Sequence, residues 1–209
     1  IERIRFTSSH PKDLSPETIL AMAETPAVMP QLHLAVQSGS TRVLKAMNRH
    51  YSREDYLALA DQIKSAMPGI ALSTDIIVGF PGETEEDFEQ TLSLVKEVGF
   101  ESAFTFIYSK RPGTPAAEID DPTPREVIQE RFDRLAELVA QQAFDANQVE
   151  LGRTVEVLVE GISKRDGDVL VGHSPKNKTV HFRAPEGIEP DSLIGKLVDV
   201  KVEEARTWY

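Results

Sequence analysis

Residues 73–83, STDIIVGFPGE, constrain the fold more than any other stretch of the chain. The β-branched run Ile76-Ile77-Val78 is bounded by turn formers and reads as a strand buried on both faces. It stops at a Gly-Phe-Pro-Gly turn, where Gly79 and Gly82 permit close backbone approach and Pro81 stiffens the bend. Thr84 and Asp87 then have the spacing of a capping box that opens a helix. A strand passing through a glycine turn into a helix is a βα junction, and in parallel α/β folds ligands sit beyond the carboxyl ends of the strands.

The surrounding chain repeats this unit. Residues 3–8 suit a strand, and Ser15-Pro16 supplies an N-cap and first-turn proline for a helix whose Ile19 and Met22 face inward. Residues 32–36 form the next strand and end in Gln37-Ser38-Gly39-Ser40, before a short helix with Val43, Leu44 and Met47. A further helix carries Tyr56, Ala60, Ile63 and Met67, the helix after Thr84 buries Phe88, Leu92 and Val95, and residues 102–108 give a fourth strand. Strands alternating with crossover helices predict an α/β fold with about four parallel strands, too few to close an eight-stranded barrel, so residues 1–122 read as part of a partial (β/α) barrel.

Pro112, Gly113, Pro115 and Pro122 break the pattern. Thr123 and Glu126 have capping-box spacing, and residues 123–152 predict a long connecting helix with the stripe Ile128, Phe132, Leu135 and Val139, ended by Leu151-Gly152. From Arg153 the period becomes two, with Val155, Val157 and Val159 on one face and Val198, Val200 and Val202 repeating it. With Gly167, Gly172, Gly187 and Gly195 separating short strands, residues 153–209 predict a small antiparallel β-barrel of five strands, OB-like.

The net charge of −11 is uneven: residues 153–209 hold nine basic and ten acidic groups, leaving −10 on the rest. An acidic body repels nucleic acid, whereas a near-neutral tail with clustered bases need not. There is no cysteine, and His10, His33, His50, His173 and His181 lack close metal-ligand spacing. No apolar run or leader pattern marks a membrane or export segment, so a cytoplasmic location is expected. The start at Ile1, already in strand-like sequence, suggests a piece cut from a longer chain.

Polar clusters follow every expected barrel strand: Ser8-Ser9-His10, Gln37-Ser38, Asp75 with the Gly79 loop, and Tyr108-Ser109-Lys110-Arg111. Together they predict one ligand-binding rim, although each alone could be a capped turn. Glu83, Glu85, Glu86 and Asp87 crowd the helix start and would repel phosphate, which favours a neutral or zwitterionic ligand with an adenine packed on Ile77. In the tail, Lys164, Arg165, Lys176, Lys178 and Arg183, with His181 and Phe182 among them, read either as a nucleic-acid surface or as solvated charge.

The runs RIRFTSSHPKDL, LHLAVQSGSTRVLKAMNR, STDIIVGFPGETEEDFEQT and FTFIYSKRPGTPAA resemble the methylthiotransferase branch of the radical S-adenosylmethionine enzymes. The tail, with VEVLVEG, NKTVHF and ARTW, resembles that family's TRAM domain, an RNA-binding β-barrel. The resemblance implies cleavage of S-adenosylmethionine at a [4Fe-4S] cluster held by three cysteines, and a second [4Fe-4S] cluster for sulfur insertion. It further implies an external electron donor and conversion of N6-isopentenyladenosine 37 in a tRNA anticodon stem-loop to its 2-methylthio form. The six family cysteines are absent, so this chain by itself is expected to be inactive; Ala35, where the family usually has proline, and Lys110 are smaller departures. Carried over by position, Gln37, Ser38, Asp75, Ile77, Gly79, Phe106 and Tyr108 resemble cofactor contacts, and Arg111 a rim residue facing the substrate. Alternatives are a relative acting on threonylcarbamoyl-adenosine tRNA or a ribosomal protein, or a non-catalytic RNA-binding module. The edge of the expected strand at residues 3–8 is anticipated to be open and to support self-association.

Overall fold

The structure, a computed structural model, describes residues 1–7 and 10–209. The expected cluster at Ser8 and Ser9 therefore lies outside the described residues. Three parallel strands, β1 (Gln31–His33), β2 (Ala71–Val78) and β3 (Ser102–Ile107), form one sheet in the order β1-β2-β3. Helices α1 (Pro16–Glu24), α2 (Thr41–Ala46), α3 (Arg53–Ala66) and α4 (Glu85–Val98) punctuate them. The core gathers Leu32, Leu34, Ile76 and Val78 with Tyr56, Ile63, Phe88 and Leu94, all essentially solvent-free. Each such side chain contributes about 1.5–3 kcal/mol by leaving water.

Local signals appear where the sequence placed them. Ser15 caps α1 with Pro16 in its first turn, and Thr84 and Asp87 close a reciprocal capping box on α4. A second capping box, Ser52 with Asp55, opens α3.

The expected first strand is reduced to isolated parallel bridges, Ile4 to Val28 and Thr7 to His33. Ile4 exchanges backbone hydrogen bonds with residues 27–29 while Thr7 meets β1, so no single ladder forms. Phe6 packs against the core. The second strand regularises only to His33, because the Val36 N–H is taken by the Thr74 hydroxyl (2.9 Å) instead of a ladder carbonyl. The chain still follows β2 as far as Gln37, whose N–H donates to Asp75 O and whose carbonyl accepts from Ile77 N. Of the β2 trio, Ile76 and Val78 are buried, but Ile77 is half-exposed on the opposite face, so this strand is not covered on both sides.

Helix α5 (Arg125–Gln148) packs along β3 and α4. Its N-cap is Pro124 with no side-chain cap, since the Thr123 N–H and hydroxyl both bond to Asp121 instead of forming a box with Glu126. The buried stripe is Arg131, Leu135, Val139, Ala143 and Asn147, with Ile128 and Phe132 only half-buried.

Beyond it, β4 (Thr154–Ile162), β5 (Val169–His173), β6 (Thr179–Arg183) and β7 (Leu197–Lys201) form an antiparallel sheet ordered β6-β5-β4-β7. Among the described residues this is four strands rather than five, and no ladder joins β6 to β7. Gly172, expected as a separator, lies inside β5. Tyr209 instead reaches β6, where its ring meets His181 edge-on at 5.2 Å.

The two modules are fastened together. Arg3 donates to Glu156 Oε1 (2.7 Å) and His173 O (2.9 Å), and Arg5 to Ser174 O. Lys178 Nζ lies 2.9 Å from Glu101 Oε2, and Lys176 Nζ lies 3.3 Å from Glu150 Oε1. At the end of α5, Asn147 and Gln148 donate to the carbonyls of Ala205, Arg206 and Thr207.

Candidate functional site

At the carboxyl ends of the strands the Gln37-Ser38-Gly39-Ser40 loop is pinned to α4. Gln37 has φ 71°, a left-handed conformation uncommon for a residue with a side chain and a mark of functional sites. Gly39 donates its N–H to Thr91 Oγ1 (2.9 Å), and a Cβ there would come within 2.4 Å of Thr91 Cα. Ser38, expected to touch the cofactor, is fully buried with its hydroxyl facing Thr91 Oγ1 (3.4 Å), so it anchors the loop instead. Ser40 caps α2 and donates to Asp87 Oδ1 (2.6 Å), which also receives Arg42, while Thr84 donates to Asp87 Oδ2. Burial alone would raise the Asp87 pKa, but the bonds from Arg42, Ser40 and Thr84 outweigh it and hold the carboxyl well below its usual range.

The glycine turn is tied down in the same way. Gly79 (φ 73°) donates its N–H to Glu83 Oε2 at 2.8 Å, and a Cβ would strike the Ile128 side chain of α5 at 2.6 Å. That N–H is consequently occupied, which removes the phosphate cradle a glycine loop can offer. Glu83 is buried, and burial pushes its pKa up to about 7 against the opposing Gly79 N–H and Arg131. Arg131, itself buried, lies 3.6 Å from Glu83 Oε2, donates to Glu83 O (3.1 Å) and grips Glu85 Oε2 (2.9 Å). Sequence reasoning missed Arg131, although a basic residue four positions before Leu135 on an apolar stripe is itself a signal.

The sheet face turned away from α3 and α4 carries Ser73, Asp75 and Ile77 of β2, with Phe104 paired to Asp75 and Phe106 to Ile77. Phe104 and Phe106 are more than half exposed. His33 stands between Ser73 Oγ (3.1 Å) and Asp75 Oδ2 (3.4 Å), a grouping that no sequence spacing revealed. Above this face the Tyr108 ring meets Phe80 edge-on at 5.2 Å, and among the described residues its buried hydroxyl has no hydrogen-bond partner. Arg111 is exposed at the rim. Below, at the amino ends of the strands, a cleft of about 670 Å³ opens between this face and the second module. Its walls come from segments far apart in the chain, so no motif or spacing announced it.

Of the expected RNA contacts, Lys164 and Arg165 are exposed in the β4–β5 connection, and Arg183 lies 3.0 Å from Asp166. Lys176 and Lys178 are engaged by Glu101 and Glu150 between the modules.

The rim has the makings of a site for a nucleoside-bearing cofactor: apolar Ile77 and Phe106 for a ring, the Asp75 carboxylate, and an orphaned phenol at Tyr108. It does not fit an iron-sulfur cluster, which needs thiolates the sequence lacks; nor do the described residues place three or more His, Asp or Glu together for a metal.

An α/β rim joined to a small β module defines a class, and the comparisons agree. Residues 1–95 match the Radical SAM superfamily and residues 148–209 the TRAM domain, so the chain carries radical SAM sequence followed by a TRAM domain. It is 53% identical over 208 residues, 100% of its own length, to the tRNA-2-methylthio-N(6)-dimethylallyladenosine synthase of Acetivibrio thermocellus, and 54% identical over 198 residues, 93% of its length, to that of Streptomyces griseus. It spans 42% and 39% of those relatives. The fold is similar to Escherichia coli coproporphyrinogen III oxidase (HemN), described as a radical SAM enzyme, with TM-score 0.53 and 18% identity over 79% of this chain and 45% of that one; at this identity the likeness concerns the fold alone.

Proposed function

We propose that the chain supplies the cofactor rim and the RNA-gripping module of an enzyme that methylthiolates N6-isopentenyladenosine 37 in tRNA. The observation that carries this reading is identity above 50% along the full chain to synthases named for that product, spanning both modules. In the reading, a cluster whose ligands are not in this chain would supply the electron, and bound S-adenosylmethionine would be the source of the radical. Asp75 and the Gln37 loop orient the cofactor, Ile77, Phe106 and Tyr108 pack its ring, and Gly79 gives the loop its close approach. Arg111 faces the substrate opening, and Lys164, Arg165 and Arg183 meet phosphates.

Filter binding of an anticodon stem-loop across a salt series tests the RNA arm. Each phosphate that the protein ceases to neutralise flattens the logarithmic salt slope by about 0.9 for duplex RNA treated like B-DNA. Lys164→Ala with Arg165→Ala is expected to flatten it by about two phosphates' worth; an unchanged slope would place the phosphate surface elsewhere. Anaerobic treatment with iron and sulfide is expected to yield neither cluster absorbance nor methionine release from this chain, and either signal would contradict the cofactor assignment.

A further inference from the structure

The cleft lies toward the amino ends of the strands and meets the rim at Asp75. From Ala71, at its far wall, to Val78 at the rim, β2 advances seven residues, or about 23 Å at ~3.3 Å each, so most of the cleft lies outside the rim. The volume of about 670 Å³ falls within the ~300–1,000 Å³ of cavities that enclose small organic groups. Phe104 on β3 and Trp208 in the tail both border it and are 59% and 60% exposed, although large aromatic rings are usually covered. One ring comes from each module, so the cleft exists only because the modules are fastened together.

The lysines in its wall are already matched: Lys176 and Lys178 are paired with Glu101 and Glu150, while Arg5 donates to the neutral Ser174 carbonyl. An added phosphate would meet no unpaired lysine, and the Asp75 carboxylate across the cleft disfavours it further. A neutral planar ring meets no such penalty. The cleft also holds an unmet acceptor: Asn147 is 7% exposed, its Nδ2 donates to Arg206 O (2.7 Å) and Thr207 O (3.1 Å), and its buried Oδ1 has no hydrogen-bond partner among the described residues. Buried polar atoms are ordinarily paired, so an unpaired one marks this wall of the cleft as locally under-satisfied.

We propose that this cleft holds one unpaired nucleobase of the bound RNA, stacked on Phe104 and Trp208. The inference rests on the reading that the chain binds RNA, and it adds a second base position, distinct from the one at the rim. Bases splayed from a loop can stack on aromatic side chains, whereas bases inside a duplex cannot reach them.

The chain has a single tryptophan, so its fluorescence reports on Trp208 alone. The test titrates the chain with a labelled hairpin bearing an unpaired loop and with a blunt duplex of equal charge, reading RNA anisotropy and tryptophan emission together. The hairpin is expected to bind and quench the emission, and the duplex to bind without quenching. Phe104→Ala, at an exposed position whose unchanged melting temperature certifies the fold, is expected to weaken hairpin binding about tenfold and leave the duplex unaffected, the scale of one stacking surface removed. Hairpin binding with unaltered emission, or equal hairpin affinity in Phe104→Ala, overturns the cleft as a base site while leaving RNA binding intact. Failure of both RNAs to bind at low salt overturns the RNA reading itself, and the cleft assignment with it.

Discussion

At the scale of residues, two groups hold the rim through contacts whose energetics are directly measurable. Glu83 has its pKa raised by burial from 4.5 to about 7, so between those values the folded chain keeps a proton that the unfolded chain has released. Its contribution to stability is thus fully present below pH 4.5 and is lost as pH rises through 7, a change of about 3 kcal/mol at 1.36 kcal/mol per unit. Urea midpoints at pH 5 and pH 8 should show this decline in the native chain and a flatter profile in Glu83→Gln. Gly39→Ala forces a Cβ against the Thr91 backbone, which cannot swing aside, and should cost about 1–3 kcal/mol by the same measurement. Thr84 and Asp87 were readable as a cap because their partners lie three residues apart. That Asp87 also clasps Arg42 and Ser40 was not, because those partners lie 45 and 47 residues away and only the fold brings them in.

At the scale of elements, α5 decides how the glycine turn is held. Arg131→Met should destabilise by about 3–5 kcal/mol where Glu83 is ionised, because one partner of a buried pair is left alone. Since Glu83 can take up a proton, the loss should be smaller at pH 5 than at pH 8, and combining Arg131→Met with Glu83→Gln should recover part of it. A double-mutant cycle at both pH values checks the coupling. Helix positions were legible in the 3.6-residue spacing of Ile19, Met22, Tyr56, Ala60 and Ile63. Strand extents were not: residues 3–7 divide their pairing between two partners, and Val36 bonds to a side chain, choices invisible to a period-two pattern.

At the scale of the whole molecule, the modules meet through Arg3, Lys176, Lys178 and the end of α5, and these partners are 26 to 170 residues apart in sequence. Such separation explains why the pairing of Lys176 and Lys178 was not legible: a lysine in a basic run carries no sign that an acid from another module will meet it. Glu101→Gln should loosen the junction, making the α5–β4 connection cleave faster in limited proteolysis, with the difference from the native chain shrinking in high salt as the native pairs are screened. Helix α5 touches the glycine turn through Arg131 and the C-terminal tail through Asn147, sixteen residues or about 24 Å apart on one rigid element. A saw cut at the boundary between helix and β module would therefore fall on the wrong side of a hinge pin: residues 153–209 alone leave Arg206 and Thr207 without the amide that holds them and Trp208 without the wall it faces. A piece cut to test the proposed RNA contacts should therefore carry α5 with it.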